Sequence, residues 1–136
     1  MIRRPPRSTQ SRSSAASDVY KRQFLCSALS AENATSALII ALGKRTSKKH
    51  VNWMILGKTA ETADEKIKER LQEISIKLHE IEPDIPKILR YPFRFKEKWI
   101  IPQEYYTQEM AEEALQKAKN ILELTLNCLK DLGISI

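Results

Sequence analysis

Apolar positions recur along this chain at spacings of three and four, the mark of helices that bury one face. From Phe24 to Leu42 the segment FLCSALSAENATSALIIAL has no breaker. Leu25, Leu29, Asn33, Ala37 and Ile40 fall on one stripe, with Leu38 and Ala41 beside it. Gly43 follows, where a left-handed residue can close the helix. Asn33, beside Glu32, puts an amide into the stripe, and a buried amide takes its partner from a neighbouring helix. Lys44 to Lys58 reads as a basic loop of mixed polarity, ending around Gly57 and holding Arg45, His50 and Trp53. Thr62-Ala63-Asp64-Glu65 has the form of a capping box. Beyond it Ile67, Leu71, Ile74, Leu78 and Ile81 make a narrow seam for helix–helix packing, flanked by the Glu73/Lys77 pair and stopped by Pro83. Asp84-Ile85-Pro86 opens a short helix to Tyr91, with Asp84 as its cap and Pro86 in the first turn, and Pro92 stops it. Residues 93 to 106 form an irregular connection. Thr107 caps a last helix whose Glu109, Glu112 and Glu113 suit its positive end. Ala111, Ala114, Leu115, Ala118, Ile121, Leu122, Leu129 and Leu132 line its apolar side, and Gly133 closes it. No segment alternates with a strand's two-residue period, so the pattern predicts an all-α antiparallel helical bundle.

The chain's 136 residues suffice for one domain. The longest unbroken apolar run, Ala37 to Leu42, is far below the roughly 20 residues of a membrane span, so no membrane association is expected. A net charge of +6 would suit a nucleic-acid binder if it were spread over the fold. It is not: residues 1–23 hold Arg3, Arg4, Arg7, Arg12, Lys21 and Arg22 against Asp18 alone, while the rest of the chain is nearly balanced. Such a segment has the composition of a phosphate-binding arm or a transit peptide. Over its whole length, however, it resembles a translated sequencing-adapter read-through. Residues 1–23 are therefore expected to be a non-native, disordered or irregular segment, and 24–136 the helical domain.

Ser27-Ala28-Leu29-Ser30-Ala31-Glu32-Asn33-Ala34, continuing through Ala37-Leu38 to Gly43 and Lys49-His50, resembles the second helix and following turn of the prokaryotic HEPN domain. Arg90-Tyr91-Pro92, Glu104-Tyr105-Tyr106-Thr107 and then Ala111, Ala114 and Ala118 resemble its C-terminal part, in the same order over about residues 24–130. The resemblance implies a first helix that should precede Phe24, where the adapter-like segment stands, and hence a 5′-truncated domain. The Ile67–Ile81 seam or the Leu25–Ala41 stripe should then lie partly exposed, with poor solubility or self-association.

Ribonuclease members of that family carry an Arg and a His separated by four to six residues, for charge stabilisation and for acid–base work or 2′-hydroxyl orientation. Arg45 and His50 have this spacing, though Thr46 follows the Arg and the pair follows the second helix rather than opening a late one. No His follows Arg90 within seven residues. Arg90 and Tyr91 suit phosphate and base contacts, and Lys48 and Lys49 extend a local basic patch with Lys44 and Arg45. Phe93, Phe95 and Trp99 interleave with Arg94, Lys96 and Lys98, as a nucleic-acid surface or a loop anchor would. Cys26 and Cys128 lack metal or redox spacing and read as reduced thiols, and two histidines are too few for a metal site. No phosphate-binding glycine loop and no cofactor is implied. His79 falls on the charged side of its helix.

By resemblance the chain would be a cytoplasmic, prokaryotic, non-catalytic nucleotide- or RNA-binding partner of a minimal nucleotidyltransferase, a homodimer acting in a toxin–antitoxin or defence pair. The alternatives are a metal-independent ribonuclease using Arg45 and His50, and a structural dimerisation bundle.

Overall fold

The computed structural model of this protein describes residues 5–90 and 106–134, with side chains from 18 to 89 and from 106 to 134. Among the described residues there are five helices and no strand: α1 (Pro5–Ala41), α2 (Asn52–Glu61), α3 (Glu65–His79), α4 (Asp84–Arg90) and α5 (Gln108–Asp131). The all-α class follows directly.

Two elements differ from expectation. Residues 5–23 are helical and continuous with α1 rather than irregular. Pro5 and Pro6 occupy the first turn, where a missing N–H is harmless, and nothing after them breaks a helix. Second, the loop expected over 44–58 is a turn followed by α2, which runs through Gly57.

The buried face of α1 is set by Phe24, Ala28, Ala31, Thr35, Leu38 and Ile39. The expected stripe lies about one residue off, some 100° around the axis. Asn33 and Ala37 are accordingly exposed and Ile40 is 64% exposed, while Leu25 and Leu29 are half-buried. An alanine-rich segment offers small residues on every side, so the largest ring decides the rotation. Phe24 packs on Tyr106 at the entrance to α5, ring centroids 5.3 Å apart. Ala28 and Ala31 on α1, and Ala111, Ala114 and Ala118 on α5, are buried, and small residues on facing helices let backbones approach closely. These two helices share the most extensive contact in the fold.

The α3 seam is buried as predicted, with Leu71, Ile74 and Leu78 fully enclosed and Ile67 and Ile81 nearly so. Of the two faces expected to lie partly exposed, this seam is enclosed, while on α1 the Leu25–Ala41 stripe has Asn33, Ala37 and Ile40 outside. On α5, Leu115 and Leu122 are outside at 45% and 47% exposure, and Thr125 and Cys128 are inside.

Helix directions follow from paired residues. Arg70 pairs with Asp131, and Lys117 with Glu80 at 3.5 Å, so α3 opposes α5. Trp53 and Gly57 of α2 both approach Ser75, and Trp53 also reaches His79, so α2 opposes α3. α1 instead runs with α5: Phe24 meets Tyr106, and further along Ser30 and Leu122 line one depression. The bundle is therefore mixed in direction rather than wholly antiparallel.

The helix ends show where local rules hold. Thr107 Oγ1 accepts the Met110 N–H at 3.2 Å, capping α5 as expected. Gly43 and Gly133 take φ of +81° and +85°, closing α1 and α5. The capping box at Thr62 does not form: Thr62 ends α2 and donates its hydroxyl to the Thr59 carbonyl, and Asp64 precedes α3 without a side-chain bond. Asp84 is the first residue of α4, not its cap. The stretch Asp18–Ala41 is 24 residues long and, by length and composition, apolar enough to cross a membrane, which a count of unbroken apolar runs overlooks. In this fold its Phe24–Ile39 face is packed inside the bundle.

Candidate functional site

Of the residues expected to carry chemistry, four lie on the turn between α1 and α2. Arg45, Lys48 and Lys49 are exposed, with Lys44 exposed beside them, and no described acid pairs with them. The Lys49 N–H donates to Ser47 Oγ at 3.0 Å, which tightens the turn. His50 closes it in a left-handed conformation, φ +59°. A histidine tolerates this region better than most side chains, yet it occupies it only when its surroundings hold it there.

What holds it is Glu32. His50 Nδ1 lies 2.8 Å from Glu32 Oε2, and both side chains are largely withdrawn from solvent. This pair marks the edge of a polar cluster that sequence reasoning missed. Asn52, the first residue of α2, is 1% exposed. Its Nδ2 donates among three acceptors: the Glu32 carbonyl at 3.1 Å, Thr35 Oγ1 at 3.2 Å and Ser36 Oγ at 3.0 Å. Thr35, also buried, turns its own hydroxyl to the Ala31 carbonyl at 2.9 Å. Asn52 Oδ1 is buried with no hydrogen-bond partner among the described residues.

At the centre sits Glu82, fully buried in the turn between α3 and α4. One of its oxygens accepts the Asn52 N–H at 3.0 Å and the other the Trp53 N–H at 2.9 Å. Val51 supplies no side-chain cap of its own, so two otherwise orphaned donors of α2 are satisfied from a residue 30 positions downstream. Burial first, and then the influence of the Glu32 carboxyl, push the Glu82 carboxyl up to about 8, against the two N–H groups that pull it down. Asn52 thus links Glu32, through its side chain, to Glu82, through its backbone N–H, and Glu32 in turn holds His50.

Trp53 continues the cluster outward. Its carbonyl accepts Ser75 Oγ at 2.6 Å, and its ring meets His79, centroids 4.1 Å apart. His79 is exposed, as its position on the helix implies, but its ring rests at a tilt of 49° on Trp53 rather than standing free.

The structure brings His50 into this cluster and leaves Arg45, Lys48 and Lys49 on the surface. Arg90 closes α4, its side chain outside the described residues. Tyr91, Phe93, Arg94, Phe95, Lys96, Lys98 and Trp99 also lie outside them. No group of three or more metal-ligating side chains occurs among the described residues. Two adjoining depressions of about 400 and 320 Å³ run between α1 and α5, with Cys26, Ser27 and Leu115 common to both.

Chemically, the turn offers four cations on a base fixed from beneath. The positive end of α2, otherwise a natural place for an anion, is already taken by Glu82. The chain matches no family model, no curated protein and no solved structure.

Proposed function

We propose that this chain is a HEPN-like protein that binds the phosphates of a nucleotide or RNA on its α1–α2 turn without cleaving them. It acts in the cytoplasm as the partner of a minimal nucleotidyltransferase in a toxin–antitoxin or defence pair. The observation that carries the reading is the turn itself: Lys44, Arg45, Lys48 and Lys49 are exposed together on a loop anchored by His50 and Glu32. Exposed cations at fixed positions bind phosphate oxygens at little conformational cost. The resemblance of residues 27–50 to the HEPN second helix and turn supports the same reading, as does the use of His50 as an anchor.

A second reading is favoured by one detail. A histidine tied through Nδ1 to a carboxylate has its tautomer fixed and its other nitrogen oriented, which is the preparation of a general base. On that reading Arg45 and His50 form a metal-independent ribonuclease site.

Titration with ATP and with a short single-stranded RNA, followed by tryptophan fluorescence, tests the first reading. Saturable binding should weaken as salt rises, with a log–log slope near −3 for four phosphate contacts at about 0.7 each. Alanine at Lys44, Arg45, Lys48 and Lys49 together should abolish it. RNA cleavage that disappears in both Arg45→Ala and His50→Ala would replace the binding reading with the ribonuclease.

A further inference from the structure

The depressions of about 400 and 320 Å³ lie in line between α1 and α5, each within the size range of small-molecule sites. Because Cys26, Ser27 and Leu115 belong to both, the two form one continuous groove. Ala111, Leu115, Ala118 and Leu122 make its α5 side apolar, and the α1 side contributes no charge. Leu115 and Leu122 stand nearly half exposed on it. We propose that this groove binds a straight apolar chain ending in a single carboxylate, its head at Lys119 and its tail laid over Leu115 toward Ala111 and Tyr20.

Ser27 supplies the first reason. A serine within a helix ordinarily returns its hydroxyl to a carbonyl one turn back or gives it to water. Thr35 and Thr59 do the former in this chain, at 2.9 and 2.7 Å. Ser27 does neither. It is 7% exposed, no described residue hydrogen-bonds to its hydroxyl, and it faces both depressions. A donor so enclosed and unused is aimed at an acceptor that enters the groove.

Charge supplies the second. Lys119 is exposed at the 320 Å³ depression, beside Ser27 and Ser30, and no acid among the described residues pairs with it. One ammonium and two hydroxyls are all donors, matched to the two acceptor oxygens of a carboxylate. At the other end Glu112, held by Gln108 Nε2 at 3.1 Å, repels an anionic head. The ligand therefore has one orientation. Its length follows from the helix: Ala111 and Lys119 stand about 12 Å apart along α5 at about 1.5 Å per residue. That is the reach of an extended chain of about ten carbons.

Cys26 reports occupancy, because its exposed thiol lies on the wall that both depressions share. Decanoate, titrated below its micelle concentration, should slow the reaction of Cys26 with N-ethylmaleimide in a saturable way. Decanol, which has the same tail and no charge, should do so only at about tenfold higher concentration, the factor lost with a charge-assisted hydrogen bond. Lys119→Ala should raise the half-saturating decanoate concentration by a similar factor, and Ser27→Ala by a few-fold. Lys66→Ala, which removes an exposed cation of α3, should bind as wild type does. Labelling that ignores decanoate, an equal response to decanol, or a response unchanged in Lys119→Ala and Ser27→Ala would overturn the proposal. Slowing that follows protein concentration without decanoate would also overturn it, and would give the groove to a second copy of the chain.

Discussion

His50 and Glu32 are joined by a 2.8 Å contact across eighteen residues of chain, and the contact holds the His50 backbone in a left-handed conformation. Two costs are thus coupled at one residue. A hydrogen bond to a charged group contributes about 1.5–3 kcal/mol, and a left-handed backbone costs a β-carbon residue about 1–2 kcal/mol. His50→Ala should destabilise the protein by about 2–3 kcal/mol in urea unfolding. His50→Asn, whose side chain suits this backbone region, should lose less, and Arg45→Ala, on the surface, should fall within about 0.5 kcal/mol of wild type.

The same cluster makes stability pH-dependent. Glu82 is raised from 4.5 to about 8 by burial, so between those values the folded chain holds a proton that the unfolded chain has released. Stability therefore falls as pH rises through this window: the Glu82 contribution is complete below 4.5 and gone above about 8. Asp84, raised by desolvation, acts with the same sign. Urea midpoints collected from pH 5 to 8 should decline in wild type and decline less in Glu82→Gln. Equal slopes in the two would remove Glu82 as the cause.

Gly57 lies inside α2, where alanine is normally worth up to about 1 kcal/mol more than glycine. Here a β-carbon would meet Ser75 Oγ at 3.1 Å, and that oxygen is held by its bond to the Trp53 carbonyl. Gly57→Ala should therefore destabilise wild type. In a Ser75→Ala background the same substitution should become stabilising, and a double-mutant cycle measures the change of sign.

Cys26 is exposed and Cys128 is buried, its thiol pushed up by that burial. A thiol reagent at neutral pH should label one cysteine per native chain quickly, at Cys26, and a second only on denaturation. Rapid labelling of both would contradict the packing of α5 described above.

The parts of this fold legible in the sequence are those whose cause is local. The α3 seam was readable because charged residues separate Ile67, Leu71, Ile74 and Leu78, leaving one choice of face. Thr107, Gly43 and Gly133 act within a few residues of themselves. The buried face of α1 lies one residue from the predicted stripe because its candidates differ only slightly in size, and a partner, Tyr106, decides among them. α2 is invisible to local rules because it has no cap of its own; the cap is Glu82. An acid between Ile81 and Pro83, in line with an apolar seam, was the one visible hint. Spacing to Arg45 draws attention to His50, whereas its partner in the structure is Glu32, eighteen residues earlier and on another element.

The remote cap also orders events in time. A ten-residue helix is too short to persist alone in water, and α2 begins with two amides that only Glu82 satisfies. As the chain emerges during synthesis, residues 52–61 must wait for the next 21 residues before they can settle. α3, with its uninterrupted seam, is the element against which they do so. The α1–α2 turn, tied to α1 through His50 and Asn52 and to Glu82 through the Asn52 N–H, is then among the last parts of the N-terminal half to take its final shape.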